Sequence, residues 1–131
     1  MNVDLINRIK EALNRTQVMA LSTIGPEGSW TCPVGFKYTD KLELSFVSML
    51  NTKHVQNILK DNRVSVAIFN IPGSDGGSLG LQIKGTARDL GDNNGKDWHH
   101  FSITPEEVWC YDSRVYSERQ QVDLANLNLS S

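Results

Sequence analysis

Five short patterns of apolar and polar positions organise this chain. Leu5, Ile6, Ile9, Ala12 and Leu13 recur at helical spacing, with Asp4 and Glu11 outside the stripe. They predict an amphipathic opening helix that covers something apolar. Gln17 to Ile24 reads as a strand with little alternation, covered on both faces, and Gly25-Pro26-Glu27-Gly28 as a turn. Trp30, Cys32, Val34, Phe36 and Tyr38 then alternate with Thr31, Pro33, Gly35, Lys37 and Thr39, the clearest period of two in the sequence. Leu42, Leu44 and Phe46 alternate in the same way with Glu43 and Ser45. Asn51-Thr52 follows as a helix cap, Val55, Ile58 and Leu59 as one helical face, and Asp61-Asn62 as its end.

Beyond the helix, Val64 to Phe69 is a dense β-branched run and predicts a strand. Residues 70–78 read as a mobile loop by composition. Leu79, Leu81 and Ile83 begin another strand, Gly85 marks a bulge, and Thr86 to Leu90 continues it. Residues 91–100 are polar, with Asp92-Asn93-Asn94-Gly95 as a turn. Val108 to Tyr111 reads as a last short strand, Arg119 to Val122 as a further strand or extended arm, and the tail from about residue 123 as a segment that frays.

Two features carry candidate chemistry. A helix start bearing Thr52 and Lys53 directly after a strand suits a phosphate, because free backbone N–H groups and the positive dipole end face the anion and the lysine adds a full charge. The alternative is a threonine that only caps and a lysine that only solvates. Pro33 and Gly35 in mid-strand, with Lys37 beyond them, form a face against which a flat ligand can lie; the alternative is a bulged edge strand with an exposed lysine.

Composition narrows the classes. The 131 residues, 39% hydrophobic, make one domain with a real core. A formal net charge of -2 argues against a nucleic-acid binder that rests on bulk electrostatics, and no run is long enough to span a bilayer. Cys32 and Cys110, far apart, predict buried free thiols and a reducing, cytoplasmic setting. His54, His99 and His100 have no metal-ligand spacing, since adjacent histidines on a strand point to opposite faces. No general acid or base stands out, so no catalytic residue is named.

Four stretches, in this order, resemble the pyridoxamine 5′-phosphate oxidase-like family of FMN-binding split barrels. Pro33-Val34-Gly35-Phe36-Lys37 is similar to the second barrel strand, which runs along the flavin. Leu42 to Ser48, Asn51 to Ile58 and Asn62 to Val66 resemble the core run in which a flavin strand leads into a phosphate turn, a short helix and a strand. Gln82-Ile83-Lys84-Gly85-Thr86-Ala87 and Pro105-Glu106-Glu107-Val108-Trp109 resemble two later strands. The resemblance covers roughly residues 5 to 122. It implies a mainly β fold with flanking helices, a six-stranded antiparallel split β-barrel, and a homodimer with FMN at the subunit interface.

By the same resemblance, Thr52 and Lys53 hold the FMN phosphate, with Asn51 at the serine of the family's turn. Phe46, Val47 and Ser48 line the flavin and its ribityl chain. Lys37 approaches the phosphate or the ring, and Gln82 reaches the isoalloxazine edge. Trp109 and Arg119, ten positions apart as in the oxidase, come from the other subunit. One departure bears on activity. Where the oxidase carries Arg-x-His-x-Arg to grip its vitamin phosphate, this sequence has Val115-x-Ser117-x-Arg119, and Thr31 or Cys32 replaces the arginine of the second strand. The expectation is therefore an FMN-dependent oxidoreductase of unknown substrate, close to the short general-stress-protein-like members rather than to the oxidase proper. The alternatives are a flavin-binding or stress protein without turnover, and a split barrel holding another planar cofactor such as F420 or haem.

Overall fold

The apolar alternation along five of the runs closes into one antiparallel barrel. The structure, a computed structural model, describes residues 2–72 and 77–130. Gly73, Ser74, Asp75 and Gly76 of the predicted mobile loop lie outside them. The elements are α1 (Val3–Asn14), β1 (Val18–Gly25), β2 (Gly28–Gly35), β3 (Lys37–Tyr38), β4 (Leu44–Met49), α2 (Lys53–Lys60), β5 (Arg63–Asn70), β6 (Leu79–Asp92), β7 (Trp98–Asp112) and β8 (Gln120–Gln121), with a 3-10 turn at Leu124–Asn126. The strand order is β2-β1-β5-β6-β7-β4-β3, and β8 pairs with β7. Six of these strands are long; β3 and β8 are two-residue pieces.

The order explains both the closure and the split. The two edge strands, β2 and β3, are consecutive parts of one chain run. Gly35 still pairs with Val18 of β1, whereas Lys37 pairs with Ser45 of β4. The run predicted as one alternating strand from Trp30 to Tyr38 therefore breaks at Phe36, whose N–H still reaches the Gln17 carbonyl at 3.1 Å. No Cβ at Gly35 and no N–H at Pro33 make this the place where the ladder changes partner.

Met19, Leu21, Leu44, Phe46, Ile68, Leu81, Phe101 and Ile103 fill the interior. Phe46 stacks on Phe101 with ring centroids 5.1 Å apart. The amphipathic α1 buries all five residues of its predicted stripe, and its Asn2 side chain accepts from the Asp4 N–H at 2.8 Å. Each of its fully buried side chains, Ile9 above all, contributes about 1.5–3 kcal/mol.

Several sequence expectations are corrected. The polar stretch before residue 100 and the short last strand are one 15-residue strand, β7. Its alternation is hidden because its outer positions are polar and because Pro105 sits opposite Gly85, at the register shift next to Lys84. β1 alternates after all, with Met19, Leu21 and Thr23 inside and Val18 and Ile24 outside. Leu59 is 54% exposed, and His54 and Asn57 take the buried face of α2 beside Val55 and Ile58. Leu42 is a turn residue with φ of 64°, buried although β4 starts only at Leu44. The tail expected to fray is packed, with Leu127 and Leu129 buried, the Lys41 ammonium on the Leu127 carbonyl at 2.7 Å and the Leu129 N–H on the Asp40 carbonyl at 2.9 Å.

Candidate functional site: three patches around the split

The residues singled out in the sequence fall into three patches. The first is the start of α2. Thr52 occupies the N-cap position, but its hydroxyl donates to the Met49 carbonyl at 2.8 Å and makes no cap. The first-turn N–H groups are thus left without a side-chain acceptor, the condition under which a helix start receives an anion. Lys53 lies 3.5 Å from the Glu27 carboxylate, and its ammonium sits 4.4 Å above the Trp30 ring. Both carry substantial exposure, 50% for Lys53 and 87% for Glu27. A pair so well hydrated holds weakly, and a multiply charged anion can take its place. Asn51 is exposed beside them. A cavity of about 330 Å³ between the β1–β2 turn and α2 is lined by Glu27, Trp30, Lys53 and Asn57.

Below this patch the helix is anchored by polar contacts. His54 Nε2 and Ser48 Oγ are 2.7 Å apart and buried. Burial also lowers the pKa of His54, which favours the neutral ring. Asn57 Nδ2 donates to Thr23 Oγ1 at 3.0 Å. A side chain at Gly25 would collide with the Asn57 carboxamide. Ser48 thus faces the interior, away from any open surface.

The second patch is the split itself. A cavity of about 670 Å³ is lined by Gln17, Gly35, Lys37, Phe46, Val47 and His100. Val47 and His100 are direct cross-strand partners on the outer face of β4 and β7. Gly35 and Lys37 bring the Pro33–Lys37 run to this cavity. Neither Gln17 nor His100 was singled out as a ligand contact in the sequence. No residue pattern signals them, because only the break at Phe36 places them together.

The third patch lies on the outer face of β5, β6, β7 and β8. Gln82 and Trp109 are direct cross-strand partners. Arg119 Nη1 donates to Gln82 Oε1 at 2.8 Å, and its guanidinium lies 4.0 Å over the Trp109 ring. The Trp109 indole N–H donates to Glu107 at 2.7 Å. β8 folds back on β7 and so brings together two residues ten apart in sequence. The resemblance divides Gln82 from the pair supplied by the other subunit. The register brings all three into one patch of one chain.

The cysteines are both free. Cys110 is buried, and burial, with Asp112 nearby, pushes its thiol up to about 12. Cys32 is half-buried rather than buried, because the inner face of β2 is only partly covered; burial still raises its pKa. Neither is poised as a nucleophile. Among the described residues there is no cluster of three or more metal-ligating side chains, and no helix is long and apolar enough to cross a membrane.

The donor set fits a phosphate-bearing planar group: open N–H groups and an ammonium at the start of α2, and aromatic, amide and guanidinium groups on the third patch. Comparison with known proteins agrees with the fold. The family model described as pyridoxamine 5′-phosphate oxidase matches residues 5–123. No curated protein matches the sequence. Among solved structures, the heme binding protein from Mycobacterium smegmatis superposes with a TM-score of 0.79 at 16% identity, over 95% of this chain and 60% of that one. General Stress Protein 26 from Bacillus anthracis gives 0.73 at 15%, over 92% and 100%. A FAD-binding protein from Mesorhizobium loti gives 0.65 at 19%, over 76% and 88%. The match over nearly the whole chain, on a barrel split at Phe36, places this protein in the pyridoxamine 5′-phosphate oxidase family.

Proposed function

We propose that this chain is an FMN-binding flavoprotein, a homodimer that holds FMN at the subunit boundary and acts as an FMN-dependent oxidoreductase on a small molecule. The observation that carries the reading is the uncapped start of α2, with Thr52 and Lys53 directly after β4. Those N–H groups and the Lys53 ammonium would hold the phosphate. Lys37, Phe46 and Val47 would border the ring at the split. Placement supports the dimer. The Gln82, Trp109 and Arg119 patch shares no lining residue with the helix-start cavity or the split cavity, so a second copy would bring it to the ring. Bound FMN would supply the electron or hydride transfer, and the protein would supply position and the exclusion of water.

Val115 and Ser117 replace the arginine and histidine that grip the vitamin phosphate in the oxidase, which argues for a different substrate. The free thiols are consistent with a reducing cytosol. One observation favours a second reading: the His100 imidazole lines the split cavity, and the M. smegmatis neighbour is a heme binding protein. Haem is then the ligand to test against FMN.

Titration with FMN, followed by flavin fluorescence, decides between them. Quenching that saturates at one FMN per subunit, with a dimer by sedimentation, supports the first reading. A clean monomer, or no quenching together with a Soret band on adding haemin, overturns it. If FMN binds, oxidation of a reduced nicotinamide with an added electron acceptor separates an oxidoreductase from a flavin-binding protein without turnover.

A further inference from the structure

The outer face of the barrel carries a second group of cations, remote in the chain from Lys53. Two cross-strand rows define it. One runs Thr31, Ser22, Ser65, Lys84, Glu107, each residue the direct partner of the next across β2, β1, β5, β6 and β7. The other runs Pro33, Ala20, Ala67, Gln82, Trp109 in the same way. Together they make a trough of about 380 Å³, some 19 Å long at roughly 4.8 Å per strand. Ala20 and Ala67 form a low floor, and the Trp109 ring with Arg119 stacked on it closes one end.

The charges in this trough do not cancel. Lys84 stands opposite Glu107 in the register, but the Glu107 carboxylate accepts from the Trp109 indole N–H at 2.7 Å and forms no ion pair with the lysine. Arg119 reaches only the neutral Gln82 oxygen and the Trp109 face. Among the described residues these two cations have no carboxylate partner, and they share one depression with the Ser22 and Thr31 hydroxyls, which bond to each other at 2.7 Å, and the Ser65 hydroxyl. Elsewhere among the described residues Arg8, Arg15, Arg63 and Arg114 have carboxylates, whereas Arg88, exposed farther along β6, has none and stands outside this depression.

We propose that the trough binds the carboxylate or phosphate group of a small organic anion, with Lys84 as its principal charge, the Ser65 hydroxyl and one hydroxyl of the Ser22–Thr31 pair as donors, and Arg119 at its edge. A charged group gains charge-assisted hydrogen bonds here, and a flat body rests on the alanine floor. This site shares Gln82, Trp109 and Arg119 with the flavin reading but rests on Lys84, to which that reading gives no role. If FMN also binds, the trough lies beside the flavin edge and takes the anionic end of the substrate.

The test is an NMR titration of the full ¹⁵N-labelled chain with inorganic phosphate, against sodium chloride at equal ionic strength. Phosphate is expected to move the Ser22, Ser65 and Lys84 amides and the Trp109 indole N–H along one saturating curve. Lys84→Met should weaken that curve by about tenfold or more while leaving the response of the amides at Thr52–His54 unchanged. An identical curve in Lys84→Met, or a phosphate response confined to Thr52–His54, would overturn the proposal. FMN titration of the same variant keeps the two readings apart. Wild-type FMN affinity in Lys84→Met is expected. Absence of FMN binding in the wild type, with the Lys84-dependent phosphate response intact, would sink the flavin reading alone.

Discussion

Charge is treated in opposite ways in two regions of this barrel. Where α1 crosses the ends of β6 and β7, Asp4, Arg8, Glu11, Arg15, Asp112 and Arg114 all have charged partners. Asp112, fully buried, accepts from Arg114 Nε at 2.9 Å and Nη2 at 2.8 Å, and Arg8 lies 3.7 Å away. Arg114 also reaches Glu11 at 3.1 Å, and the Tyr116 hydroxyl donates to Asp4 at 3.0 Å. The Arg114 guanidinium holds the Asp112 and Glu11 carboxyls below their usual range. Around the split and on the outer sheet face the cations are loosely held or unpaired. Among the described residues Lys53 has one exposed carboxylate, and Lys84 and Arg119 have none. A charge satisfied inside the chain stabilises the fold. A charge left open costs the apo protein little at the surface and is available to a ligand.

The sharpest way to break that contrast is to remove the centre of the paired network. Asp112→Ala leaves two arginines facing a void. The expected loss is about 3 kcal/mol in urea unfolding, the low end for breaking a buried pair, because Arg8 and Arg114 keep 24% and 28% of their side chains in water. A loss below about 1 kcal/mol would show that this network is no more than surface pairing. Lys53→Ala should do the reverse. FMN binding is expected to weaken by about 1.5–3 kcal/mol, roughly 10- to 150-fold, with the unfolding midpoint unchanged within about 0.5 kcal/mol. Unchanged FMN affinity by fluorescence titration would remove Lys53 from the phosphate site.

Gly25→Ala probes the seam between the two kinds of region. Its new methyl would strike the Asn57 carboxamide, which is bonded to Thr23. Forcing that contact should cost about 1–3 kcal/mol of stability, and it should loosen FMN because α2 must shift. Stability lost with FMN affinity intact would show that α2 is not what positions the anion.

How much of this was legible in the sequence depends on the range of the interactions. The α1 stripe, the β5 run and the strand–turn–helix around Thr52 follow from local periodicity, and they stand where the pattern puts them. The pairing of Trp109 with Arg119 was legible only by resemblance, since a ten-residue separation carries no local signal until β8 returns along β7. β7 was obscured because one of its faces is polar and a proline interrupts it, although register with β6 and β4 fixes it without ambiguity. Glu27 reads as part of a turn and Trp30 as one position of an alternating strand. Their contact with Lys53 exists only because β2 folds back beside α2. The Lys84 trough was invisible for the same reason, as its two rows draw on five strands separated in the chain.

The gentlest probe is pH, and it acts on the two regions in different windows. His54 is held neutral by burial beneath the start of α2, so its folded pKa lies below the ordinary value of 6.5. Between those two values the unfolded chain binds the proton and the folded chain does not. Stability is therefore full above about pH 6.5 and falls as the pH drops toward the folded value. Glu11 and Asp112 are shifted down by Arg114, so their contribution is full above their ordinary values of 4.5 and 3.8 and is lost only as the pH falls below them toward the folded values. Urea unfolding from pH 8 to 3 should thus show a shallow decline first and a second, acid one below it. His54→Gln, which keeps a hydrogen-bonding group near Ser48, should flatten the first decline and leave the second. Asp112→Asn should reduce the second and leave the first. If His54→Gln leaves the upper decline unchanged, the titrating group there is not the histidine that ties α2 to β4, and the anchoring of the start of α2 has to be sought in Asn57 and Thr23 instead.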